Sequence, residues 1–593
     1  MEQMFDNKLV ELTCRSRGFS PEFLRAIEDS SHKILGGTDV FVRRLRAHYE
    51  AKDKVVILCD FDMDGISAGV LGYAGLAEMG FNSALFIPDP TEGYGFDEKT
   101  ILRLWDTYPD VKAIVTCDVG ITCFDGLKAA KGLGIDVLLT DHHTQSEVQG
   151  LPSSYVSCIV DPMVEDPETG YEHPKICGAY VLYQLLESYA QTYCSRDLQE
   201  QIHRLRVFAG MGTISDSMPL LYENRILVKD ALAIAKLVYA GGSDYVVNNM
   251  FGCEVYRRAF QGLYLILKGL EAEGKLKSAN DITSTFFAYY VAPMFNSAKR
   301  IGTADDMLKA FSVFFGANPQ DCVAHLIALN AKRKEVVADY YEKIQNADNP
   351  YAPYLYFSDA EAGILGLLAQ KLCDDNGGAP CVVVRQDDGE KSYHGSGRSP
   401  GWYLLKGRAE EAGFYVAGHN EAFGVGFKDL DDARAYHDFV KADYTAALRS
   451  VDVDSMKLTP DFVIAHDGTG DTVIDIVTFV DYIHEIRRFA PFGAGMPEPQ
   501  ILVKFRPSDG EWEEMGSMRQ HLRITLDYGF RLILFHQASI MQDMQQEDTC
   551  YVLGTLSLNT FRDTTSVQFI GDFVSPNAIS QKALVPKDAV KED

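Results

Sequence analysis

Hydrophobic positions change their spacing several times along this chain, and each change marks a change of element. Residues 1 to 50 carry helical periodicity, with "SPEFLRAIEDS" opening on a Ser-Pro helix start. From residue 54, short apolar runs alternate with amphipathic stretches. The series is "KVVILC", "GISAGVLGYAGLAEMG", "SALFIP", a helix near 97–107, "AIVTC", a helix near 124–132, "DVLLT" and "SCIV". Strands and helices in alternation predict βαβ units and a parallel sheet covered on both faces. Residues 176–270 read as mainly helical, and "DCVAHLIALNAKRKEVVADYYEKIQ" as a long helix over about 320–346.

The prolines and asparagines of "NADNPYAPYLYF" mark a boundary. A second α/β unit follows, with strands at "YLYF" and "APCVVV" and a helix at "GILGLLAQKLCDD". Beyond about 450 the texture is β: "QILVKF", "HLRITL", "RLILFH", "CYVLGTL" and "SVQFIGDF" are strand-sized runs separated by turn residues. Five or so such strands predict a small barrel of the OB-fold type. The residues after 576 are expected to be an unstructured tail, and no internal repeat is visible.

Four strands of the first α/β unit run directly into an aspartate: Asp60, Asp118, Asp141 and Asp161. A lone aspartate at a strand end is usually a turn or helix cap. Four of them on one parallel sheet converge on the edge where ligands bind, and His142 and His143 follow Asp141 at once. Carboxylates with imidazole suit manganese or magnesium better than calcium or a thiolate metal. Two such ions roughly 3.5–4 Å apart serve phosphoester hydrolysis. "DFDMDG" also begins like an EF-hand loop, but that loop needs an acidic twelfth residue, here Leu71, and a preceding helix. The EF-hand reading fails.

Composition adds bounds. At 593 residues the chain is too long for one core. No apolar stretch approaches membrane-spanning length, and "MEQMFDNKLVELTCRSRGF" lacks a signal-peptide layout, so the expectation is a cytoplasmic protein with no membrane partner. Twelve scattered cysteines without a CxxC pair point to reduced thiols. A net charge of −28 argues against non-specific nucleic-acid binding, but leaves room for a local basic groove.

The ordered motifs carry a resemblance. "LCDFDMDG", "TCDVGI", "LLTDHH" and "GTISDSMPL" resemble the four acidic motifs of the DHH phosphoesterase family. "APMFNSAKRIG" resembles the Asn-Ala-Ala-Gly-Arg element of its RecJ-type exonucleases. "HGSGRSP" and "AGHNEAFGVGF" are similar to DHHA1 signatures, and "RFAPFGAGMPEPQI" to the opening of the RecJ OB domain. The resemblance runs from about residue 50 to about 575. It implies an α/β fold: a parallel-sheet DHH catalytic domain over 51–305, a connecting helix region over 306–350, a smaller DHHA1 domain over 351–447 and an OB-fold β-barrel over 448–576. A helical segment, 1–50, precedes them and a tail, 577–593, follows.

The resemblance further implies metal ligands at Asp62, Asp64, Asp118, His142 and Asp216, with Asp118 bridging two Mn²⁺ or Mg²⁺ ions. Asp60, Asp141 and His143 would support them or meet the scissile phosphate. Arg300 with Asn296, and Arg398 with Ser396 and a glycine-rich turn at Gly395 and Gly397, would bind phosphate, and His419 would complete the clamp. Asp161 stands where relatives commonly carry Asn and is expected to be peripheral. The implied activity is 5′-to-3′ hydrolysis of single-stranded DNA by a monomer, with a single-strand-binding protein or a helicase as candidate partners. Hydrolysis of cyclic dinucleotides or short oligonucleotides, and a metal-free replication scaffold, are the alternatives. Three departures bear on the substrate side: Lys299 replaces the glycine of the arginine element, Ala417 the first glycine of the GGH signature, and Phe423 a small residue.

Overall fold

The computed structural model describes residues 7–28, 34–89, 95–145, 149–164, 171, 173–249, 252–387, 389–418, 420–450, 457–516, 519–535, 537–561, 564–575 and 578–579. The chain forms two compact units, one of Ser30–Ala447 and one joining Met1–Asp29 to Leu448–Asp593.

The larger unit opens on a five-stranded parallel sheet: β1 (Lys54–Cys59), β2 (Asn82–Phe86), β3 (Val111–Cys117), β4 (Asp136–Thr140) and β5 (Cys158–Val160), in the order β2-β1-β3-β4-β5. Val55 to Cys59 are all buried, as the unbroken apolar run requires of a strand covered on both faces. The order reverses between β1 and β3, so the crevice at their carboxyl ends is a topological switch point. Helix α1 (Met63–Glu78) leaves β1 there, and α2 (Gly178–Tyr193) and α3 (Arg206–Ser215) pack against it.

Further along, α4 (Ala292–Ile301) precedes the long α5 (Pro319–Asn346). A second sheet combines β6 (Leu355–Phe357), β7 (Cys381–Gln386), β8 (Tyr393–Arg398), β9 (Tyr415–Gly418) and β10 (Ala422–Phe427) in the order β6-β7-β8-β10-β9. Only β6 and β7 pair in parallel. Helix α6 (Ala362–Asp375) covers it with Ile364, Leu365, Leu368 and Leu372, and α5 brings Val336, Val337, Tyr340 and Tyr341 to the same core.

The other unit holds a seven-stranded sheet, β11 (Phe462–Ala465), β12 (Ile501–Phe505), β13 (Glu511–Met515), β14 (His521–Thr525), β15 (Arg531–Leu534), β16 (Cys550–Phe561) and β17 (Thr564–Phe573), ordered β11-β12-β16-β17-β15-β14-β13. The two strands absent from the sequence expectation have physical reasons to hide. β13 is "EWEEM", a charged edge strand, and β11 has four buried residues with no alternation. The N-terminal helical segment is also divided. The Lys8–Ser16 helix is tied to this unit, since Arg17 forks onto Asp461 through two 2.9 Å hydrogen bonds and Asn7 donates to the Thr478 carbonyl. The Thr38–Ala51 helix belongs to the other unit. Ile579, which falls within the expected tail, is fully buried and pairs with Leu458. Residues 580–593 lie outside the described residues.

Candidate metal centre

Each side chain of the centre is fixed by backbone geometry at the switch point. Asp60 follows β1, and Asp62 caps α1, its Oδ1 accepting from the N–H groups of Asp64 (3.1 Å) and Gly65 (3.2 Å). Asp64, in the first turn of α1, receives Gly178 N–H at Oδ2 (2.7 Å) and Ala179 N–H at Oδ1 (3.2 Å). The amino end of α2 thus holds one carboxylate through its unpaired donors and its dipole. Asp118 follows β3 with φ +62°, in the left-handed region. Gly178 lies directly beneath it, where an added Cβ would come within 2.5 Å of Asp118 Cβ.

His142 Nε2 lies 3.0 Å from Asp118 Oδ1 and 3.8 Å from both Asp64 Oδ2 and Asp216 Oδ2. Asp216 ends α3, a position that the strand-end pattern could not reveal. Asp141 points elsewhere. It accepts from Ile121 N–H (2.9 Å) and His142 N–H (2.8 Å), and its Oδ1 holds His143 Nδ1 at 2.7 Å. It orients the histidine loop, as carboxylates behind metal-binding histidines do. His143 Nδ1 is 4.0 Å from Asp118.

Three groups of ligand atoms result, each with all members within 4.8 Å of one another: Asp60, Asp62 and Asp118; Asp64, His142 and Asp216; and Asp118, His142 and His143. Asp118 is shared between the first and third, His142 between the second and third. The donors are carboxylate oxygens and imidazole, the set for Mn²⁺ or Mg²⁺. Among the described residues, Asp60 Oδ1 is buried without a hydrogen-bond partner. Asp118 Oδ1 is buried without a well-directed one, although His142 stands beside it. Two buried, unsatisfied carboxylate oxygens facing one crevice fit cations. Asp161 is buried, with its carboxyl raised to about 7 by burial and then by Asp141, and it joins none of these groups.

Without a cation the cluster is costly. Burial and then the neighbouring carboxylates push Asp118 well above the carboxylate range. Burial and Asp62 raise Asp60 to about 6. Burial, Asp64 and Asp62 raise Asp216 to about 8, although 40% of its side chain still meets solvent. Asp62 goes the other way: burial would raise it, but Lys299 and the Gly65 N–H outweigh that. Burial lowers His142, keeping its lone pair available, whereas Asp141 overcomes burial to raise His143 to about 9.

These shifts give a stability prediction. Asp60 and Asp216 ionise near 3.8 when unfolded and near 6 and 8 when folded. Their contribution is therefore intact below pH 3.8 and is lost as pH rises through 6 and 8, about 3 kcal/mol for Asp60 alone. A bound cation removes that loss. Mn²⁺ should raise the melting temperature by roughly 5 °C or more near pH 8 and by under about 2 °C near pH 5. Equal shifts at both pH values in differential scanning calorimetry would contradict this account.

The expected phosphate binders are placed unevenly. Asn296 Oδ1 accepts from Met63 N–H at 2.9 Å, pinning the turn between Asp62 and Asp64. Arg300 Nη1 donates to the Gly363 carbonyl of α6 (3.3 Å), so α4 meets the second half of the unit there. Burial, and then the charges of Arg333 and Arg398, lower Arg300 to about 10, so all three lie within electrostatic reach. Arg333, on α5, is absent from the sequence expectation because "AKRKE" reads as a solvated helix face. Gly395, Ser396, Gly397 and Arg398 are not a turn. They lie within β8, paired with β7 on one side and β10 on the other. The glycines serve packing: a Cβ on Gly395 would meet the Val383 carbonyl at 2.2 Å, and one on Gly397 the Phe423 ring at 2.4 Å. Ser396 Oγ accepts from Arg398 Nη1 at 3.2 Å. His419 lies outside the described residues.

Residues 54–209 match the DHH family N-terminal domain, and residues 475–572 match the RecJ OB domain. The stretch that holds the acidic crevice therefore matches a DHH-family domain. The relatives that the chain resembles over most of its length are RecJ proteins. It is 24% identical over 542 residues to the single-stranded-DNA-specific exonuclease RecJ of Bacillus subtilis, covering 89% of this chain and 62% of that relative. The RecJ of Haemophilus influenzae is 24% identical over 91% of both chains. The crystal structure of RecJ from Thermus thermophilus in complex with Mn²⁺ shares the fold, with a TM-score of 0.68, 23% identity, and coverage of 97% of this chain and 77% of that one. The chain thus spans under two thirds of the length of the Bacillus relative.

Proposed function

We propose that this protein is a divalent-cation-dependent exonuclease that hydrolyses single-stranded DNA from the 5′ end to 5′-mononucleotides. The observation that carries the reading is the meeting of Asp62, Asp64, Asp118, His142 and Asp216 at the switch point of a DHH fold. Asp60, Asp62, Asp64, Asp118, His142 and Asp216 would hold two ions, Mn²⁺ or Mg²⁺, with Asp118 between them. Bound there, such ions supply Lewis-acid activation of water and neutralise charge on the phosphoryl oxygens.

The chain's own residues do the rest. Asp141 keeps His143 cationic at neutral pH, adding positive charge beside Asp118 where the transition state gains negative charge. Arg300, with Arg333 and Arg398 near it, offers guanidinium forks for the strand's phosphates. This local basic group answers the net charge of −28, since the strand needs attraction only along its path. The β-rich domain holds the strand by stacking and backbone contacts. No helix among the described residues is long and apolar enough to cross a membrane. Cytoplasmic action as a monomer, with a single-strand-binding protein or helicase alongside, completes the reading.

The test uses 5′-labelled and 3′-labelled single strands, duplex, and a cyclic dinucleotide, with and without Mn²⁺. Mononucleotides should appear first from the 5′ label, and only with metal. Release from the 3′ end first, or preference for the cyclic dinucleotide, would refute the proposal. Arg300→Ala should cut kcat/KM by about 10²–10³ while Mn²⁺ binding persists. Loss of Mn²⁺ binding in that variant would show the division of roles to be wrong.

A further inference from the structure

One corner of the centre already contains a positive charge. Lys299 Nζ lies 3.2 Å from Asp60 Oδ2 and 3.2 Å from Asp62 Oδ2, and 5.1 Å from the centroid of the Phe61 ring. The ammonium is thus held by two carboxylates and an aromatic face. It occupies the position where the resembled arginine element carries glycine, which could supply no such charge. Its carboxylate partners are two of the three members of the Asp60, Asp62 and Asp118 group, and neither belongs to the Asp64, His142 and Asp216 group.

The oxygens available at that corner are few. Asp62 Oδ1 is committed to capping α1, so Oδ2 is the oxygen that an ion and the ammonium must share. Asp60 Oδ2 is in the same position, leaving Oδ1 as its uncommitted oxygen. A tethered cation costs no ion from solution and competes at high local concentration. Its repulsion of a divalent ion a few ångströms away is only partly screened, since Asp60 is buried while about a third of the Lys299 side chain meets solvent.

We propose that Lys299 is a positioning residue that makes the two ion sites unequal. The Asp64, His142 and Asp216 corner fills first and tightly. The Asp60, Asp62 and Asp118 corner admits its ion only against Lys299, with weaker affinity. Between the two affinities the protein holds a single ion, and activity rises with the second. This inference rests on the two-ion reading above.

Metal-stripped full-length protein titrated with MnCl₂, with free Mn²⁺ counted by electron paramagnetic resonance, tests it without turnover. Wild type should show two classes of site separated by about tenfold or more, and Lys299→Met should tighten the weaker class by about tenfold. Lys299→Arg keeps the charge and should keep the separation, which controls for a misfolded methionine variant. Two classes unmoved by Lys299→Met, or equal classes in wild type, would overturn the inference alone. Absence of any Mn²⁺ binding would overturn the two-ion reading and the inference with it.

Discussion

Asp118→Asn should abolish hydrolysis, by about 10³-fold or more, while the metal-free variant melts roughly 2–5 °C above metal-free wild type. The two effects have one cause. Asp118 is buried, shares its carboxylate between two groups of ligand atoms, and stands 3.0 Å from His142 Nε2. Its charge is penalised by burial and then by Asp64, Asp62, Asp60 and Asp141, which hold the carboxyl well above its ordinary range. Asparagine keeps the shape and tolerates the left-handed backbone at φ +62°. It therefore removes the repulsion without disturbing the fold, and removes the charge that cations need. Mn²⁺ should no longer raise its melting temperature appreciably. A variant that melts lower than wild type without metal would mean that Asp118 supports the fold and is not strained for function. Activity within about tenfold of wild type would displace Asp118 from the centre.

How much of this was legible depended on where each residue sits relative to an element end. Asp60, Asp118 and Asp141 follow strands, and apolar runs ending in aspartate expose that pattern directly. Asp141 and Asp161 share the pattern and yet stay outside every ligand group, because a parallel edge is wider than a two-ion site. Asp216 ends a helix and came only with the resemblance. "GSGRS" reads as a glycine-rich turn because glycine is depleted in strands, whereas close approach of the Val383 carbonyl and the Phe423 ring demands glycine in β8. Lys299 was visible as a departure, but its contact with Asp60 and Asp62 depends on α4 reaching β1 from 239 and 237 residues away. The strand order that creates the crevice is likewise a tertiary fact: sequence supplies the strands, not the reversal between β1 and β3.

Gly212→Ala should weaken Mn²⁺ binding and activity by about 100-fold or more, against what helix propensity alone predicts. Gly212 lies inside α3, where alanine should stabilise by up to about 1 kcal/mol. An added Cβ would, however, stand 2.1 Å from Asp64 Oδ1 and 2.9 Å from Ala179 Cβ. Neither neighbour can yield cheaply. Asp64 is fixed by the Gly178 and Ala179 N–H groups, and Ala179 belongs to the helix that supplies them. Either Asp64 gives up those bonds and leaves the Asp64, His142 and Asp216 corner, or α3 moves away and takes Asp216 with it. Both routes dismantle the same ion site, and overpacking should cost about 1–3 kcal/mol of stability besides. Gly407→Ala is the matched control, since its Cβ would meet nothing within 4 Å and the Leu405–Glu411 helix should gain from it. Isothermal titration with Mn²⁺ on both variants separates the outcomes. Binding by Gly212→Ala within about threefold of wild type would mean that α1, α2 and α3 yield more easily than their buried packing implies.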